Sequence, residues 1–301
     1  RAACQPDFVL QLGAAPISKG WETLCAATSI RRIVVHSWEW ADPSSDAEAI
    51  VQADIGSLLV ALGGAELRTD ARDPSFAEAL VRAESITWAT VDQLLDEAAD
   101  ALTEGGAVRA TFEALPDPSA LMLGNSLPIR HAETWVAPSS KLLLVHSQRG
   151  VSGIDGVVSG AAGIASIVDG PTTLLIGDVS FLHDLNALQL ASSAEGPLVL
   201  VVINNGGGRI FEQLPIARDG DATWLPFFTT PHDVDLGSAS AAFGCDHRRA
   251  ATLPELRAAL DEAYRSEGCT VVEAVVPPQS SLEQHRELLR RVERELGSEG
   301  A

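Results

Sequence analysis

The chain has 301 residues, of which 46% are hydrophobic and 21% charged, a composition typical of globular proteins with a sizeable buried core. Its formal net charge of −20 argues against a nucleic-acid-binding protein, because contacts to phosphate backbones require clustered Lys and Arg. No apolar run reaches the length of a membrane span, and the first residues lack the basic and apolar regions of a signal peptide.

Short apolar runs that end in turn signals alternate with stretches of helical period along the chain. The predicted strands are DFVLQLG (7–13), RIVVHS (32–37), KLLLVHS (141–147), TTLLIGD (172–178), PLVLVVINN (197–205) and CTVVEAVVPP (269–278). The predicted helices are SFAEALVRAES (75–85), TVDQLLDEAADAL (90–102), FLHDLNALQLASS (181–193) and LPELRAALDEAYRS (253–266). Strands that are apolar on both faces and alternate with helices predict an α/β fold with a doubly wound parallel sheet.

Two prolines in ALPDPSALM (114–122) interrupt a helical pattern and predict a domain boundary there. Residues 116–301 are enough for a complete doubly wound domain. Residues 1–115 contain only two convincing strands, so we expect them to be the latter part of a second α/β domain. The only methionine is Met122, and we therefore expect the chain to be a fragment of a longer product or a processed one.

Polar side chains follow two of the predicted strands. Asp178 follows the strand at 172–177, and Asn205 follows the strand at 198–203, with a predicted helix between them. A strand, a crossover helix and a parallel strand bring both strand ends to the same edge of the sheet. We therefore expect Asp178 and Asn205 to be neighbours at the carboxyl edge, where open α/β sheets bind ligands.

These neighbours would offer oxygen ligands to a metal ion. Asp178 supplies an anionic oxygen, Asn205 a neutral one, and the glycines that follow can turn backbone carbonyls inward. Such a set, completed by phosphate oxygens and water, suits Mg²⁺, and a helix beginning near Ser180 would favour the phosphate. Either Gly-Asp or Asn-Asn-Gly alone is typical of a simple turn. The two together, at matching strand ends, predict a metal-bound diphosphate.

The same residues resemble the metal-diphosphate motif of thiamine-diphosphate enzymes, and the surrounding sequence resembles one branch of them. That branch is the 2-succinyl-5-enolpyruvyl-6-hydroxy-3-cyclohexene-1-carboxylate synthases of menaquinone biosynthesis. The segments that carry the resemblance are GNSLPIR (124–130), SQRGVSGIDGVVSGAAGIA (147–165), GDVSFLHDLNAL (177–188) and NNGGGRIFEQLP (204–215). A further segment, FVLQLGAAPISKGWETL (8–24), resembles part of the central domain of that family. The resemblance implies that residues 116–301 form the diphosphate-binding domain.

The resemblance also implies roles for residues around the cofactor. Asp178, Asn205 and the Gly207 carbonyl would bind Mg²⁺ or Mn²⁺. The segment Ser152–Gly153–Ile154 would lie against the rings of thiamine diphosphate, with Ile154 as the apolar wedge that keeps the cofactor bent, although simple core packing of Ile154 stays open. Ile210 and Phe211 would line the site after the metal loop, and Phe211 could equally be a core aromatic.

The substrates that the resemblance implies, 2-oxoglutarate and isochorismate, both carry carboxylates. Arg130 and Arg149 are candidates to bind them, because guanidinium groups bind carboxylates bidentately. Ser126 and Lys19 are weaker candidates for substrate contacts, and Lys19 could be an ordinary residue of a helix's first turn. His183 could be considered as a general base, but we expect a structural role on its helix. The other histidines show no metal-ligand spacing with cysteine or carboxylates.

The implied reaction decarboxylates 2-oxoglutarate and adds the succinyl-semialdehyde unit to isochorismate. The activating glutamate of such enzymes resides in an N-terminal pyrimidine-binding domain that is not recognisable in these 301 residues, so we expect no catalytic residue of that kind here. The chain would then hold part of an active site, be inactive alone, and belong to a homodimer or homotetramer. Alternatives are another thiamine-diphosphate carboligase or decarboxylase, such as an acetolactate synthase-like enzyme, or a non-catalytic diphosphate-binding remnant.

Two further expectations concern compartment and cofactor class. The four cysteines, at positions 4, 25, 245 and 269, contain no Cys-x-x-Cys pair and favour buried, unpaired thiols in a reducing cytoplasm. A nicotinamide-binding dehydrogenase lacks support, because no Gly-x-Gly-x-x-Gly follows a first strand.

Overall fold

A computed structural model describes residues 6–26, 30–63, 74–214, 217 and 222–298. The chain divides into two compact units, residues 1–86 and 87–301. Among the described helices, none combines the length and the apolar character needed to cross a bilayer.

The smaller unit contains a three-stranded parallel sheet. Its strands are β1 (Phe8–Leu12), β2 (Arg31–His36) and β3 (Ala49–Gln52), which lie in that order. The helices α1 (Lys19–Cys25) and α2 (Ile55–Gly63) belong to the same unit, and α3 (Ser75–Glu97) begins in it. The central strand β2 buries Arg32, whose guanidinium is hydrogen-bonded to Asp42 and Asp46. Two of the three strands were predicted, and β3 was not, because its four residues are mostly exposed and carry no long apolar run.

The larger unit is built on a six-stranded, wholly parallel sheet, which confirms the predicted α/β fold. The strands lie in the order β5-β4-β6-β7-β9-β8. Their bounds are β4 (Ser119–Leu123), β5 (Leu143–Ser147), β6 (Thr172–Gly177), β7 (Leu198–Asn204), β8 (Asp246–Ala250) and β9 (Cys269–Val275). From β4 the chain moves first outward to β5 and then back across to β6. The order therefore reverses between β4 and β6, and at such a switch point the strand ends leave a crevice for ligands.

Helices cover both faces of this sheet. They are α4 (Glu104–Ala114), α5 (Leu127–Trp135), α6 (Val157–Ala165), α7 (Asp178–His183), α8 (Leu188–Ala191), α9 (Leu225–Thr229), α10 (Leu236–Ala241), α11 (Leu253–Ala263) and α12 (Ser280–Ser298). Successive residues of β7 alternate between two cores: Val199 and Val201 pack with α4 and α11, whereas Leu200 and Val202 pack with α6 and α8. This alternation explains why β7 is apolar at nearly every position.

The compact units divide earlier in the sequence than the boundary predicted at 115/116. Residues 87–115 belong to the larger unit, because Leu102, Val108 and Leu115 are buried in the core that α4 shares with the sheet. The prolines at 116 and 118 lie in the short connection from α4 to β4. They therefore mark a helix-to-strand turn inside this unit.

The predicted helix at 181–193 is wrong as a single element. It is divided into α7, a turn of 3₁₀-helix at Leu185–Ala187, and the short α8. Asp184 interrupts it: its backbone leaves the helical region, and its buried carboxylate accepts a hydrogen bond from the Ser159 N–H at 3.0 Å. Conversely, the two stretches predicted as helices at 75–85 and 90–102 are largely one continuous helix, α3.

Candidate cofactor and metal site

The predicted neighbours at the sheet edge do lie together. Gly177, the last residue of β6, pairs in register with Ile203 of β7, so the residues that follow both strands emerge side by side. Asp178 and Asn205 are both buried and line one pocket, together with Gly207 and Glu104. This pocket opens at the carboxyl edge of the sheet beside the switch point.

Asp178 is tied to the loop that follows β7. Its Oδ2 accepts a hydrogen bond from the Gly207 N–H at 2.8 Å, and its Oδ1 accepts one from the Val179 N–H at 2.7 Å. Burial raises the pKa of Asp178, although those N–H groups and the nearby His232 oppose the rise. Each carboxylate oxygen has a second lone pair, so these bonds leave acceptor capacity for a cation.

The glycine loop has a geometry that requires glycine at one position. Gly207 has φ of +144°, and a Cβ added to it would lie 2.4 Å from the carbonyl oxygen of Thr229. The Gly208 N–H donates to that same Thr229 carbonyl at 2.7 Å, which holds the loop against the end of α9. The Gly207 carbonyl accepts the Arg209 N–H at 2.9 Å and retains one lone pair. The loop is thus a tight cradle that any side chain at Gly207 would fill.

Asn205 has one satisfied and one unsatisfied end. Its Nδ2 donates to Glu104 Oε1 at 2.6 Å. Its Oδ1 is buried and finds no hydrogen-bond partner among the described residues. An orphaned amide oxygen beside a buried carboxylate and a glycine carbonyl fits a hard divalent cation that binds oxygen ligands. Within the described residues, no group of three or more His, Cys, Asp and Glu could hold a metal, so phosphate or water oxygens would have to complete this set.

Glu104 connects Asn205 to a histidine. Glu104 is the first residue of α4 and is fully buried, and its Oε2 lies 2.6 Å from His131 Nε2 on α5. The indole N–H of Trp135 donates to His131 Nδ1 at 3.3 Å, and Ser281 Oγ lies 3.2 Å from Nε2. A buried network therefore runs from α5 to the tip of β7.

A second network supports the neighbouring Asn204. The Asn204 Nδ2 donates to Glu273 Oε1 at 2.6 Å, and Glu273 Oε2 lies 2.9 Å from His247 Nε2. The Asn204 Oδ1 in turn accepts the Gly206 N–H at 3.1 Å. Burial acts to raise the pKa of Glu273, but hydrogen bonds from His247 and Asn204 outweigh it and hold that pKa below its usual value.

A third histidine lies beside the metal-ligand candidates. The Nε2 of His232 is 3.3 Å from Asp178 Oδ2. His131, His232 and His247 thus each face a carboxylate that is distant in sequence. In the sequence we found no carboxylate at metal-ligand spacing from these histidines, and we therefore missed the three pairs.

The two arginines proposed for substrate are held by their own loops. Arg130 Nη1 donates to the Ser126 carbonyl at 2.7 Å, and Arg149 Nη1 donates to Asn125 Oδ1 at 2.9 Å. Ser126 lines the pocket and has φ of +71°, an uncommon value for a residue with a side chain. Arg130, Ser126 and Arg149 are therefore joined to the segment that follows β4, at the switch point.

Asn125 fixes the segment that was predicted to face the cofactor rings. It is buried, and its Nδ2 donates to the Gly153 carbonyl at 2.6 Å and to the Gln148 carbonyl at 3.0 Å. Ser152 has φ of +59° and is exposed, and Ile154 is half-buried. Ile154 is absent from the two cores of the sheet as the described residues define them, so the alternative of core packing gains no support.

Ile210 and Phe211 lie in a 3₁₀-helix, Arg209–Gln213, directly after the glycine loop. Phe211 contacts Phe228 edge-on, with ring centroids 5.4 Å apart, and Phe228 contacts Trp224 in the same way at 5.1 Å. Both Ile210 and Phe211 are half-buried. Phe211 therefore belongs to an aromatic cluster beside the loop and is not fully enclosed in a core.

The remaining predictions concern Lys19, His183 and the four cysteines. Lys19 is in the smaller unit, where its exposed ammonium pairs with Glu22 of the same helix turn. His183 is exposed at the end of α7, which begins at Asp178 and not near Ser180. Cys25, Cys245 and Cys269 are buried, as predicted, and form no disulfide bond within the described residues, outside which Cys4 lies.

Sequence reasoning missed Glu104, Asn125 and the histidine partners. Glu104 lies in EGGAVRATFEA, which reads as the start of an ordinary helix because an acidic first turn is common there. Only the distance of 2.6 Å to Asn205, 101 positions away, distinguishes it. Asn125 had a signal, since it belongs to the quoted GNSLPIR segment, but its role depends on contacts across the switch point.

Comparison with known proteins finds similar thiamine-diphosphate enzymes. The family described as thiamine pyrophosphate enzyme, C-terminal TPP binding domain, matches residues 132–274. A curated 2-succinyl-5-enolpyruvyl-6-hydroxy-3-cyclohexene-1-carboxylate synthase from Sorangium cellulosum is 43% identical over all of this chain and 50% of its own length. The protein of the same name from Geobacillus kaustophilus is 36% identical over 97% of this chain and 50% of its own.

A solved structure gives the same fold. It is an X-ray structure of a Mycobacterium smegmatis protein, with a TM-score of 0.64 and 19% identity, covering 90% of this chain and 49% of that one. The chain spans about half the length of the curated relatives it matches. Thiamine diphosphate is the cofactor of the matched domain. The chain therefore contains, at residues 132–274, the C-terminal TPP binding domain of thiamine pyrophosphate enzymes, and it is a homologue of the curated 2-succinyl-5-enolpyruvyl-6-hydroxy-3-cyclohexene-1-carboxylate synthases.

Proposed function

We propose that this chain provides the diphosphate-binding part of a thiamine-diphosphate-dependent carboligase. The complete enzyme would decarboxylate 2-oxoglutarate and add the succinyl-semialdehyde unit to isochorismate, the reaction that the names of its relatives imply. One observation supports the proposal most strongly. The buried Asp178 carboxylate and the Asn205 Oδ1, to which no described residue donates a hydrogen bond, belong to residues that line one pocket at the switch point of a doubly wound sheet.

Asp178, Asn205 and the Gly207 carbonyl would hold Mg²⁺ or Mn²⁺, which would neutralise the diphosphate. Two neutral oxygens and one carboxylate leave positions for phosphate oxygens and water, as Mg²⁺ prefers. When bound, thiamine diphosphate supplies the electron sink for decarboxylation and carbon–carbon bond formation. The protein contributes the position of the diphosphate and the exclusion of water around it.

The residues near the switch point would orient the organic part of the cofactor and the substrates. Ser152, Gly153 and Ile154 would lie against the cofactor rings, and Ile210 and Phe211 would line the site after the metal loop. Arg130 and Arg149 would bind substrate carboxylates, with Ser126 beside them. Arg149 Nη1 already donates to Asn125, and the four other N–H groups of a guanidinium leave it able to bind a carboxylate. Lys19 would be a further substrate contact.

The smaller unit supports a proposal about the rest of the enzyme. We assign it to the central α/β domain of this family, and we place the activating glutamate in a pyrimidine-binding domain outside these 301 residues. The active site would then be completed between subunits of a homodimer or homotetramer. The 301-residue chain alone should bind metal and diphosphate weakly and turn over little or nothing, and product formation at a normal enzymatic rate would contradict this.

A steady-state assay of the full-length protein tests the activity. With isochorismate, 2-oxoglutarate should release CO₂ and give the adduct, whereas pyruvate should not replace it. Turnover of pyruvate in preference to 2-oxoglutarate would favour an acetolactate synthase-like carboligase. Cofactor binding without turnover of either 2-oxo acid would indicate the non-catalytic remnant.

A further inference from the structure

The two ends of an asparagine side chain differ chemically, and only one of them can bind a cation. The amide oxygen is an acceptor, whereas the NH₂ group carries two hydrogens and repels a metal ion. Rotation of the amide by 180° exchanges the positions of the oxygen and the NH₂ group, and the shape of the side chain hardly changes. A metal site that uses Asn205 therefore needs something that fixes the orientation of its amide.

Glu104 is placed to fix it. As a carboxylate it accepts hydrogen bonds only, so at 2.6 Å it pairs with the NH₂ end of Asn205 and rejects the oxygen. Glu104 is fully buried, and water therefore does not compete for this bond. The consequence is that the Asn205 Oδ1, on a residue that lines the pocket, has no hydrogen-bond partner in the described part of the chain.

His131 fixes Glu104 in turn. Because the Trp135 indole can only donate, it requires an unprotonated Nδ1 on His131, and the neutral ring then carries its proton on Nε2. That N–H donates to Glu104 Oε2 at 2.6 Å. One carboxylate oxygen is thus engaged by His131 and the other by Asn205, which leaves the carboxylate no freedom to rotate.

We propose that Glu104, supported by His131, is a positioning residue that orients the Asn205 amide so that its oxygen faces the metal ion. This inference rests on the metal site of the proposed function and adds a residue to it. Outer partners of metal ligands commonly affect metal affinity by roughly 10- to 100-fold.

The substitution Glu104→Gln should reverse the amide. The introduced glutamine must direct its oxygen to the Nε2 proton of His131, so its NH₂ group faces Asn205. Asn205 then turns its oxygen to that group and its own NH₂ to the pocket. We expect the affinity for Mn²⁺ to fall by roughly 10-fold or more.

A second substitution should restore the site. In Glu104→Gln combined with Asn205→Asp, the introduced aspartate accepts from the glutamine with one oxygen and presents the other to the metal. Asn205→Asp alone sets two carboxylates against each other, so it should weaken Mn²⁺ binding or unfold the protein although it adds an anionic ligand. A positioning role therefore predicts that the double variant binds Mn²⁺ better than either single variant.

The experiment measures Mn²⁺ binding by the full-length protein at saturating thiamine diphosphate, from the EPR signal of free Mn²⁺. Glu273→Gln is the matched control, because Glu273 forms the same bonds to a histidine and to Asn204. Wild-type affinity in Glu104→Gln, equal losses in Glu104→Gln and Glu273→Gln, or no recovery in the double variant would each overturn the positioning role. Absence of Mn²⁺ binding by the wild type would instead overturn the metal site itself.

Discussion

Asn204 and Asn205, which are adjacent at the end of β7, each donate a hydrogen bond to a buried carboxylate, but their amide oxygens have different surroundings. Asn204 is bonded to the pair Glu273–His247, and Asn205 is bonded to the pair Glu104–His131, with an Nδ2-to-carboxylate distance of 2.6 Å in both. The Asn204 oxygen accepts the Gly206 N–H and is used within the turn. The Asn205 oxygen is buried and accepts no hydrogen bond from the part of the chain that the structure describes.

This difference separates a structural role from a ligand role in residues of one type. A buried acceptor without a partner costs about 1–3 kcal/mol, and it persists where a ligand satisfies it. We therefore propose that the Asn204 network shapes the loop, whereas the Asn205 network orients a ligand of the proposed metal site. The hydrogen-bonded neighbours alone do not distinguish the two roles, because each asparagine donates to a carboxylate that is paired with a histidine.

The largest expected effect comes from removing the anionic ligand. In the full-length protein, Asp178→Ala should abolish metal-dependent binding of thiamine diphosphate, because the remaining candidate ligands are neutral. Isothermal titration calorimetry with and without Mg²⁺ measures this. Asp184→Asn is a suitable control, since Asp184 is a buried carboxylate bonded to Ser159 and not to the glycine loop. Unchanged cofactor affinity in Asp178→Ala would count against the metal assignment.

The next effect concerns the loop that both asparagines support. Gly207→Ala should lower the free energy of unfolding by about 1–3 kcal/mol and weaken cofactor binding, because the added Cβ would meet the Thr229 carbonyl at a strained φ. Gly206→Ala should cost less, about 1–2 kcal/mol, since at φ of +70° its Cβ would lie 3.8 Å from Arg209 Nη2, an ordinary van der Waals contact. Denaturant unfolding and cofactor titration compare the two variants. Equal effects would show that the close approach at Gly207 is unimportant.

The Asn204 network should contribute stability and not metal affinity. At neutral pH, Glu273→Gln should lower the free energy of unfolding by about 1–3 kcal/mol through loss of charge-assisted hydrogen bonds.

The same network predicts a pH dependence. Because the folded-state pKa of Glu273 is held below its usual value, its stabilisation is present above the unfolded pKa of about 4.3 and is lost as pH falls through the folded value. The wild type should therefore lose more stability than Glu273→Gln between neutral pH and pH 3. Denaturant unfolding at each pH measures this loss. If the free energies of unfolding of the wild type and Glu273→Gln fall by equal amounts, the role of Glu273 is contradicted.

The last prediction concerns Arg149, the proposed substrate arginine. Arg149→Ala should weaken use of the substrate by about 1.5–3 kcal/mol, seen in kcat/KM, while cofactor affinity stays largely intact. Arg257→Ala is a control, because Arg257 forms an exposed ion pair with Glu113. If cofactor affinity falls equally, Arg149 acts mainly by holding Asn125 and the Gly153 segment.

Of the buried strands of the larger sheet, β6, β7 and β9 were predicted from their apolar runs, whereas β4, with the sequence SALML, was not, because its run is short and directly follows two prolines. β6 and β7 were recognised because nearly every residue is buried, and the adjacency of Asp178 and Asn205 followed from parallel connectivity. β8, with the sequence DHRRA, was missed because an edge strand with polar side chains has no apolar run. The division of the helix at 181–193 was missed because it depends on a tertiary hydrogen bond of Asp184.

The candidate metal ligands could also be predicted from the sequence, but the residues that hold them in position could not. Asp, Asn and Gly at strand ends carry a recognisable chemistry and spacing. Glu104 and His131 are 27 residues apart, and Glu104 and Asn205 are 101 apart, so that no local pattern joins them. Residues on neighbouring helices that orient a ligand are recognised only in the folded structure, from interatomic distances and from burial.

The most direct test of the metal site is a crystal structure of the full-length protein with thiamine diphosphate and Mn²⁺. Anomalous scattering locates the ion without assuming its ligands. The account predicts one Mn²⁺ within coordination distance of the Asp178 carboxylate, the Asn205 Oδ1 and the Gly207 carbonyl, with the Asn205 amide still bonded to Glu104. An ion bound elsewhere, or a diphosphate held in this pocket without one, would contradict it.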